Sequence, residues 1–125
     1  MILGIGTDIV SISRFQKALE RHNQNFLKML FTDYEITSTE MKKNRIIHLA
    51  GKFAAKESVL KAFGKGLGEG ISLREIEIVN NKMGKPEVHL HGNGLELAMK
   101  MKIKNIHITI SHEKQFAVAF ILFEN

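Results

Sequence analysis

Hydrophobic and polar positions change period several times along the chain, and each change marks an element. Ile2 to Val10 alternates, with Leu3, Ile5, Thr7 and Ile9 on one face and Gly4, Gly6, Asp8 and Val10 on the other, the pattern of a strand. From Ser11 the period lengthens. Ser11 or Ser13 can cap a helix to about His22 whose apolar side is Ile12, Phe15, Ala18 and Leu19. Thr32 and Glu35 have the spacing of a capping box and Phe31 with Ile36 that of a hydrophobic staple, so a short helix starts there. A longer helix is predicted from about Lys42 or Asn44 to Phe63, closed by Gly64, which suits the left-handed position beyond a helix end.

In the second half Arg74 to Val79 alternates as a strand, Asn80 to Lys85 turns the chain, and Pro86 opens a second strand through Val88 and Leu90. Leu95 to Met101 reads as a short helix. Ile106 to Ser111 and Phe116 to Phe123, joined by His112 to Gln115, read as a further antiparallel pair. The predicted fold class is α+β, a mostly antiparallel sheet packed against one long helix. With 125 residues, a single proline, no internal repeat and no low-complexity tract, residues 1–125 are expected to form one domain.

The long helix breaks its own pattern. Ile46, Ala50, Phe53 and Leu60 mark an apolar row, and Glu57 stands in that row with Lys61 one turn on. Burying an uncompensated carboxylate costs several kcal/mol or shifts its pKa by roughly 3 to 5 units at the extreme, so such a residue has a cation or a reaction to serve. On a solvated face the two would be an ion pair of about 0.3 to 0.5 kcal/mol. In an apolar row, Glu57 reads as a metal ligand or general base and Lys61 as a clamp on a phosphate, beside the glycine-rich stretch from Gly64 to Gly70. That stretch is not a Walker loop, because no Gly-Lys-Ser or Gly-Lys-Thr follows at the required spacing.

Asp8 projects from the glycine face of the first strand. Alone it reads as a cap for the next helix. Paired with Glu57 it offers two carboxylates which, completed by waters or phosphate oxygens, are what a six-coordinate Mg²⁺ takes. His89 and His91 share one strand face and read as solvated. His112, directly after Ser111 at a strand end, is either the edge of a site or a turn residue.

Charge then narrows the partner. Eighteen Lys and Arg against thirteen Asp and Glu give a net charge of +5, which favours nucleotides, nucleic acid, acidic proteins or anionic lipid. Arg14, Lys17 and Arg21 form a basic stripe on the first helix, either a solvated face or a dock for an acidic protein. As a nucleic-acid footprint it lacks interleaved aromatics. The absence of cysteine excludes disulfides, thiolate nucleophiles and Cys-ligated zinc. No apolar run approaches the roughly 20 residues of a membrane span, and Met1 to Gly6 is too short for a signal peptide. A soluble, cytoplasmic protein is expected.

Together, Gly4-Ile5-Gly6-Thr7-Asp8-Ile9, Phe53-Ala54-Ala55-Lys56-Glu57-Ser58 followed by Lys61-Ala62, the glycine loop, Gly84-Lys85-Pro86 and Ser111-His112 resemble the holo-acyl-carrier-protein synthases. These are the short phosphopantetheinyl transferases of bacterial lipid synthesis, and the resemblance runs in order over essentially the whole chain. It implies the 4′-phosphopantetheinyl transferase-like fold and transfer of the 4′-phosphopantetheine arm from coenzyme A to a serine of apo acyl carrier protein. Adenosine 3′,5′-bisphosphate would be released, in fatty acid biosynthesis. It further implies Asp8 and Glu57 as Mg²⁺ ligands, Lys61 on the pyrophosphate, and catalysis by Glu57 and Lys61. Gly64, Lys65, Arg45 and His112 become coenzyme contacts, and Arg14, Lys17 and Arg21 a docking stripe for the acidic carrier. Family members of this length are typically homotrimers with active sites between subunits, and neither a nucleic-acid nor a membrane partner is implied. The competing reading is a non-enzymatic basic module that binds acidic protein or nucleic acid, for which Glu57→Gln would leave function intact.

Overall fold

The computed structural model describes residues 1–22, 24–64 and 70–125, so Lys65 and most of the glycine stretch lie outside the described residues. Strand β1 (Ile2–Ser11) runs directly into helix α1 (Ile12–Arg21), because the Ser11 side chain accepts a hydrogen bond from Arg14 N and caps the new helix. Two short helices follow, α2 (Gln24–Leu30) and α3 (Asp33–Thr39), and α3 carries the predicted Thr32–Glu35 capping box. The long helix α4 (Arg45–Phe63) ends at Gly64, whose φ of 77° is the left-handed conformation predicted for it. Beyond it come β2 (Ile76–Asn80), β3 (Pro86–Leu90), α5 (Gly92–Lys100), β4 (Asn105–His112) and β5 (Phe116–Glu124).

All strand pairs are antiparallel, and the fold is the expected α+β arrangement. The strands divide into two sheets, one ordered β1-β5-β4 and the other the β2–β3 hairpin. Helix α4 lies diagonally across the larger sheet, with Gly51 against Ile110 of β4, Ser58 against Ala119 of β5 and Ala62 against Gly4 of β1. Alanines on both sides, Ala54 and Ala55 on α4 with Ala117 and Ala119 on β5, are buried and let the helix settle close to the strands. Phe31, Leu60, Ile76, Ile78, Ile121 and Phe123 fill the rest of the core.

The small sheet is fastened to the helices through the outer edge of β2. Glu35 Oε2 accepts from Ile78 N at 2.8 Å, and Lys52 Nζ donates to Ile78 O at 2.9 Å, so side chains satisfy the backbone groups that β3 does not.

The observed elements differ from the predicted ones in three places. Arg74 and Glu75 were expected to begin a strand but form a 3₁₀ turn (Leu73–Glu75), because Glu75 Oε1 folds back to accept from Ser72 N at 2.8 Å. Arg74 meanwhile reaches across to donate to Lys28 O and Phe31 O at 2.7 Å each. Helix α5 starts at Gly92 rather than Leu95. Helix α2 had no predicted counterpart.

Candidate functional site

Gly4 and Gly6 decide where the site forms. A Cβ on Gly6 would collide with the carbonyl oxygen of Ser58 and lie 2.8 Å from Ala62 N, and one on Gly4 would collide with the carbonyl of Ala62. Only glycine lets α4 come this close to β1. The residues before those contact points, Glu57 and Lys61, are thereby set beside Asp8, the next residue on the glycine face of β1. Lys61 Nζ lies 3.0 Å from Asp8 Oδ1 and donates to Thr7 O at 3.0 Å. Glu57 is half-buried. Burial pushes its carboxyl above the usual range, the negative charge of Asp8 adds to that rise, and Lys61 opposes it.

Asp8 and Glu57 open onto a cavity of about 380 Å³ whose other walls include Arg14, Phe26, Leu30 and Phe53. A larger cavity of about 700 Å³ shares Phe26, Leu30 and Phe53 with it and extends to Ile71 and Leu73. The basic stripe therefore touches the site at one end: Arg14 lines the cavity, while Lys17 and Arg21 are exposed along α1.

His112 stands on the opposite flank of α4. It packs near His48, with ring centroids 6.5 Å apart, and both line a cavity of about 210 Å³ with Lys52, Asn80, Gly84 and Pro86. Burial, followed by the charges of Lys42, His112 and Lys52, lowers the His48 pKa. Glu57 lies nine positions after His48, which at about 100° per residue is two and a half turns and so the opposite side of the helix. Within one chain, the two flanks face away from each other.

A family model described as the 4′-phosphopantetheinyl transferase superfamily matches residues 4–121. The holo-acyl-carrier-protein synthase of Vibrio cholerae is 41% identical over 124 residues, spanning 99% of this chain and 98% of that protein. The solved holo-acyl-carrier-protein synthase of Neisseria meningitidis superposes with a TM-score of 0.91 at 33% identity, covering 100% of both chains. That of Helicobacter pylori, solved in complex with coenzyme A, superposes with a TM-score of 0.84 at 32% identity, covering 96% of this chain and 99% of the other. This chain belongs to the holo-acyl-carrier-protein synthases.

For a phosphopantetheinyl transferase of this family, the arrangement gathers Asp8, Glu57, Lys61 and Arg14 in one place, puts His112 elsewhere, and takes Arg45 away from both. The Arg45 guanidinium donates to Ile36 O at 3.1 Å and to Thr39 Oγ1 at 3.3 Å, closing the end of α3, and lines a fourth cavity with Leu19 and Leu27. Gly64 terminates α4, its N–H donating to Lys61 O at 3.0 Å. His89 and His91 are exposed, as expected, and pair with Glu87 and Glu77.

The charged residues embedded in the core are not those the apolar row suggested. Lys61 is 55% exposed at its side chain, whereas Lys56 is fully buried and forms an ion pair with the equally buried Glu35. Lys56 Nζ also donates to Leu30 O at 2.9 Å and Leu73 O at 3.0 Å, and Glu35 Oε1 accepts from Thr32 N at 2.9 Å. This clamp fixes Leu30 and Leu73, two apolar walls of the cavities beside Glu57. One sequence signal for it existed, since Lys52 and Lys56 stand four apart in a helix otherwise rich in alanine.

Among the described residues, no group of three or more His, Asp or Glu is placed to hold a metal by itself. The donor set that does converge is two carboxylates, Asp8 and Glu57, at one cavity mouth. That set fits a hard divalent cation which takes its remaining oxygens from water or phosphate. Among the same residues, no helix is long and apolar enough to cross a membrane.

Proposed function

We propose that this chain moves the 4′-phosphopantetheine arm of coenzyme A onto a serine hydroxyl of apo acyl carrier protein and releases adenosine 3′,5′-bisphosphate. It would do so as one catalytic domain, with Mg²⁺, in the cytoplasm and in the service of fatty acid biosynthesis. The observation that carries the proposal is the convergence of Asp8 and Glu57, with Lys61 on Asp8, at the mouth of a cavity walled by Phe26, Leu30 and Phe53.

In the reaction, the serine oxygen forms a bond to the phosphorus nearest the pantetheine while the bridging bond of the diphosphate breaks, its electrons leaving with the adenosine bisphosphate. Mg²⁺ held by Asp8 and Glu57 would neutralise the diphosphate and stabilise charge on the leaving phosphate. Glu57, or a water on the cation, would accept the serine proton. Lys61 supplies an ammonium to the phosphate oxygens. The larger apolar cavity suits the uncharged pantetheine end of the donor.

Arg14, Lys17 and Arg21 present three cations toward the acidic carrier, and Arg14 also lines the reaction cavity, so docking and chemistry would share one entrance. The outer face of the larger sheet supports a homotrimer. Ile5, Ile9, Phe116, Val118 and Phe120 are 55%, 65%, 42%, 38% and 40% exposed there, a contiguous apolar surface of the kind buried between subunits. Assembly would also bring the His112, Gly84 and Pro86 flank of one subunit toward the Asp8 flank of the next, which a single chain keeps apart. Gly64, at the end of α4, and Lys65, next to it in the sequence, would contact the coenzyme.

The test is intact-mass analysis of an apo acyl carrier protein incubated with this protein, coenzyme A and Mg²⁺. Gain of one phosphopantetheine is expected, and an unchanged carrier mass with a competent carrier would refute the proposal.

A further inference from the structure

Lys61 holds Asp8 by the carboxylate a cation would use. Its ammonium is fixed by two bonds to adjacent residues of β1, 3.0 Å to Asp8 Oδ1 and 3.0 Å to Thr7 O. The partners differ in freedom: the Lys61 side chain is 55% exposed and can swing into solvent, whereas Asp8, at 18%, is held by the strand.

We infer that Lys61 is an internal counter-ion that must leave Asp8 before a divalent cation is taken up, and that the diphosphate of the donor gives it a new partner. This rests on the metal reading proposed above and adds an order to it. A dication and an ammonium compete for one carboxylate, and their mutual repulsion disfavours holding both at contact distance. A diphosphate supplies anionic oxygens to which the ammonium can transfer. Binding of the cation and of the donor should therefore favour each other, by the same factor whichever binds first. On the protein alone, the lysine keeps cation affinity low. Because the ion pair is exposed and screened, the suppression is modest, roughly tenfold at most.

Mn²⁺ serves as the probe, titrated against full-length wild type, Lys61→Met, Arg14→Gln and Asp8→Asn by calorimetry or electron paramagnetic resonance. Met keeps the aliphatic stem, and Lys61 is exposed enough that folding is not at stake. Arg14→Gln removes a positive charge from the same cavity without touching Asp8. Lys61→Met is expected to bind Mn²⁺ about three- to tenfold more tightly than wild type. Arg14→Gln should change the affinity less than about twofold, and Asp8→Asn should abolish binding. The factor by which Mn²⁺ tightens coenzyme A binding should also shrink in Lys61→Met. Unchanged Mn²⁺ affinity in Lys61→Met, or a rise that Arg14→Gln matches, overturns the inference while Asp8-dependent binding leaves the metal reading standing. Mn²⁺ bound equally well by Asp8→Asn removes the metal reading and the inference with it.

Discussion

Gly6→Ala is the sharpest structural perturbation of the site, because it adds one methyl group where β1 and α4 touch and changes no charge. The new Cβ would lie 2.8 Å from Ala62 N and 2.9 Å from Ser58 C, closer still to Ser58 O, and every one of those atoms is backbone. No rotamer relieves such a clash, so α4 must move. Restoring ordinary contact of about 3.4 Å requires a retreat on the order of 1 Å, an overpacking cost of about 2 kcal/mol and a Tm loss of roughly 5 to 10 °C. The displaced stretch of α4 carries Glu57 and Lys61, each directly before a contact point, Ser58 or Ala62, so the carboxylates part by a comparable distance. A misplacement of that size costs on the order of 100-fold in rate. Thermal unfolding and carrier-modification kinetics well below the Tm read the two effects separately. A Gly6→Ala protein with wild-type kcat/KM would refute the claim that close approach of β1 and α4 is what positions the site.

Three further predictions concern the surroundings. Lys56→Met leaves Glu35 charged and buried without its cation and should destabilise the fold by about 3 to 5 kcal/mol, whereas Glu35→Met with Lys56→Met should recover most of that loss in denaturant titrations. Charge reversal at Arg14 and Arg21 should raise the KM for carrier severalfold with little change in the KM for coenzyme A, and the difference should fade as salt is raised, in steady-state assays. Phe120→Asp puts a charge in the exposed apolar sheet face and should break the proposed homotrimer, leaving the mass of one chain in analytical ultracentrifugation, with activity falling alongside.

Much of the fold was legible because its signals are local. The Thr32–Glu35 capping box, the Gly64 helix end and the hairpin closing on Pro86 each depend on residues a few positions apart, and all three stand where the spacing put them. Asp8 was readable as projecting from a glycine-lined face, since strand alternation alone assigns it there. Which charges lie inside was not legible. Helix α4 packs on the larger sheet with one face and is covered by α1, α3 and β2 on others, so 12 of its 19 residues are buried and an apolar row no longer marks inside from outside. Lys56 therefore reads like Lys61, and only the long-range return of Glu35, Leu30 and Leu73 tells them apart. Helix α2 escaped for the opposite reason: its seven residues bury none fully, so Phe26, Leu27 and Leu30 leave a weak periodic signal.

Glu57, beside Asp8, is the residue on which the proposed chemistry depends, and Glu57→Gln at constant Mg²⁺ is its sharpest test. The carboxyl is raised in the fold, so its protonated form is the stabilising one: that stability is present below about pH 4.5 and lost as pH rises through the raised value. Gln mimics the protonated form, so the variant should unfold no earlier than wild type, and its relative stability should improve as pH increases. The decisive reading is the single-turnover rate of carrier modification by intact mass. A loss of at least about 100-fold is expected in a protein that is folded and still binds carrier. A folded Glu57→Gln protein that modifies the carrier at the wild-type rate would contradict it.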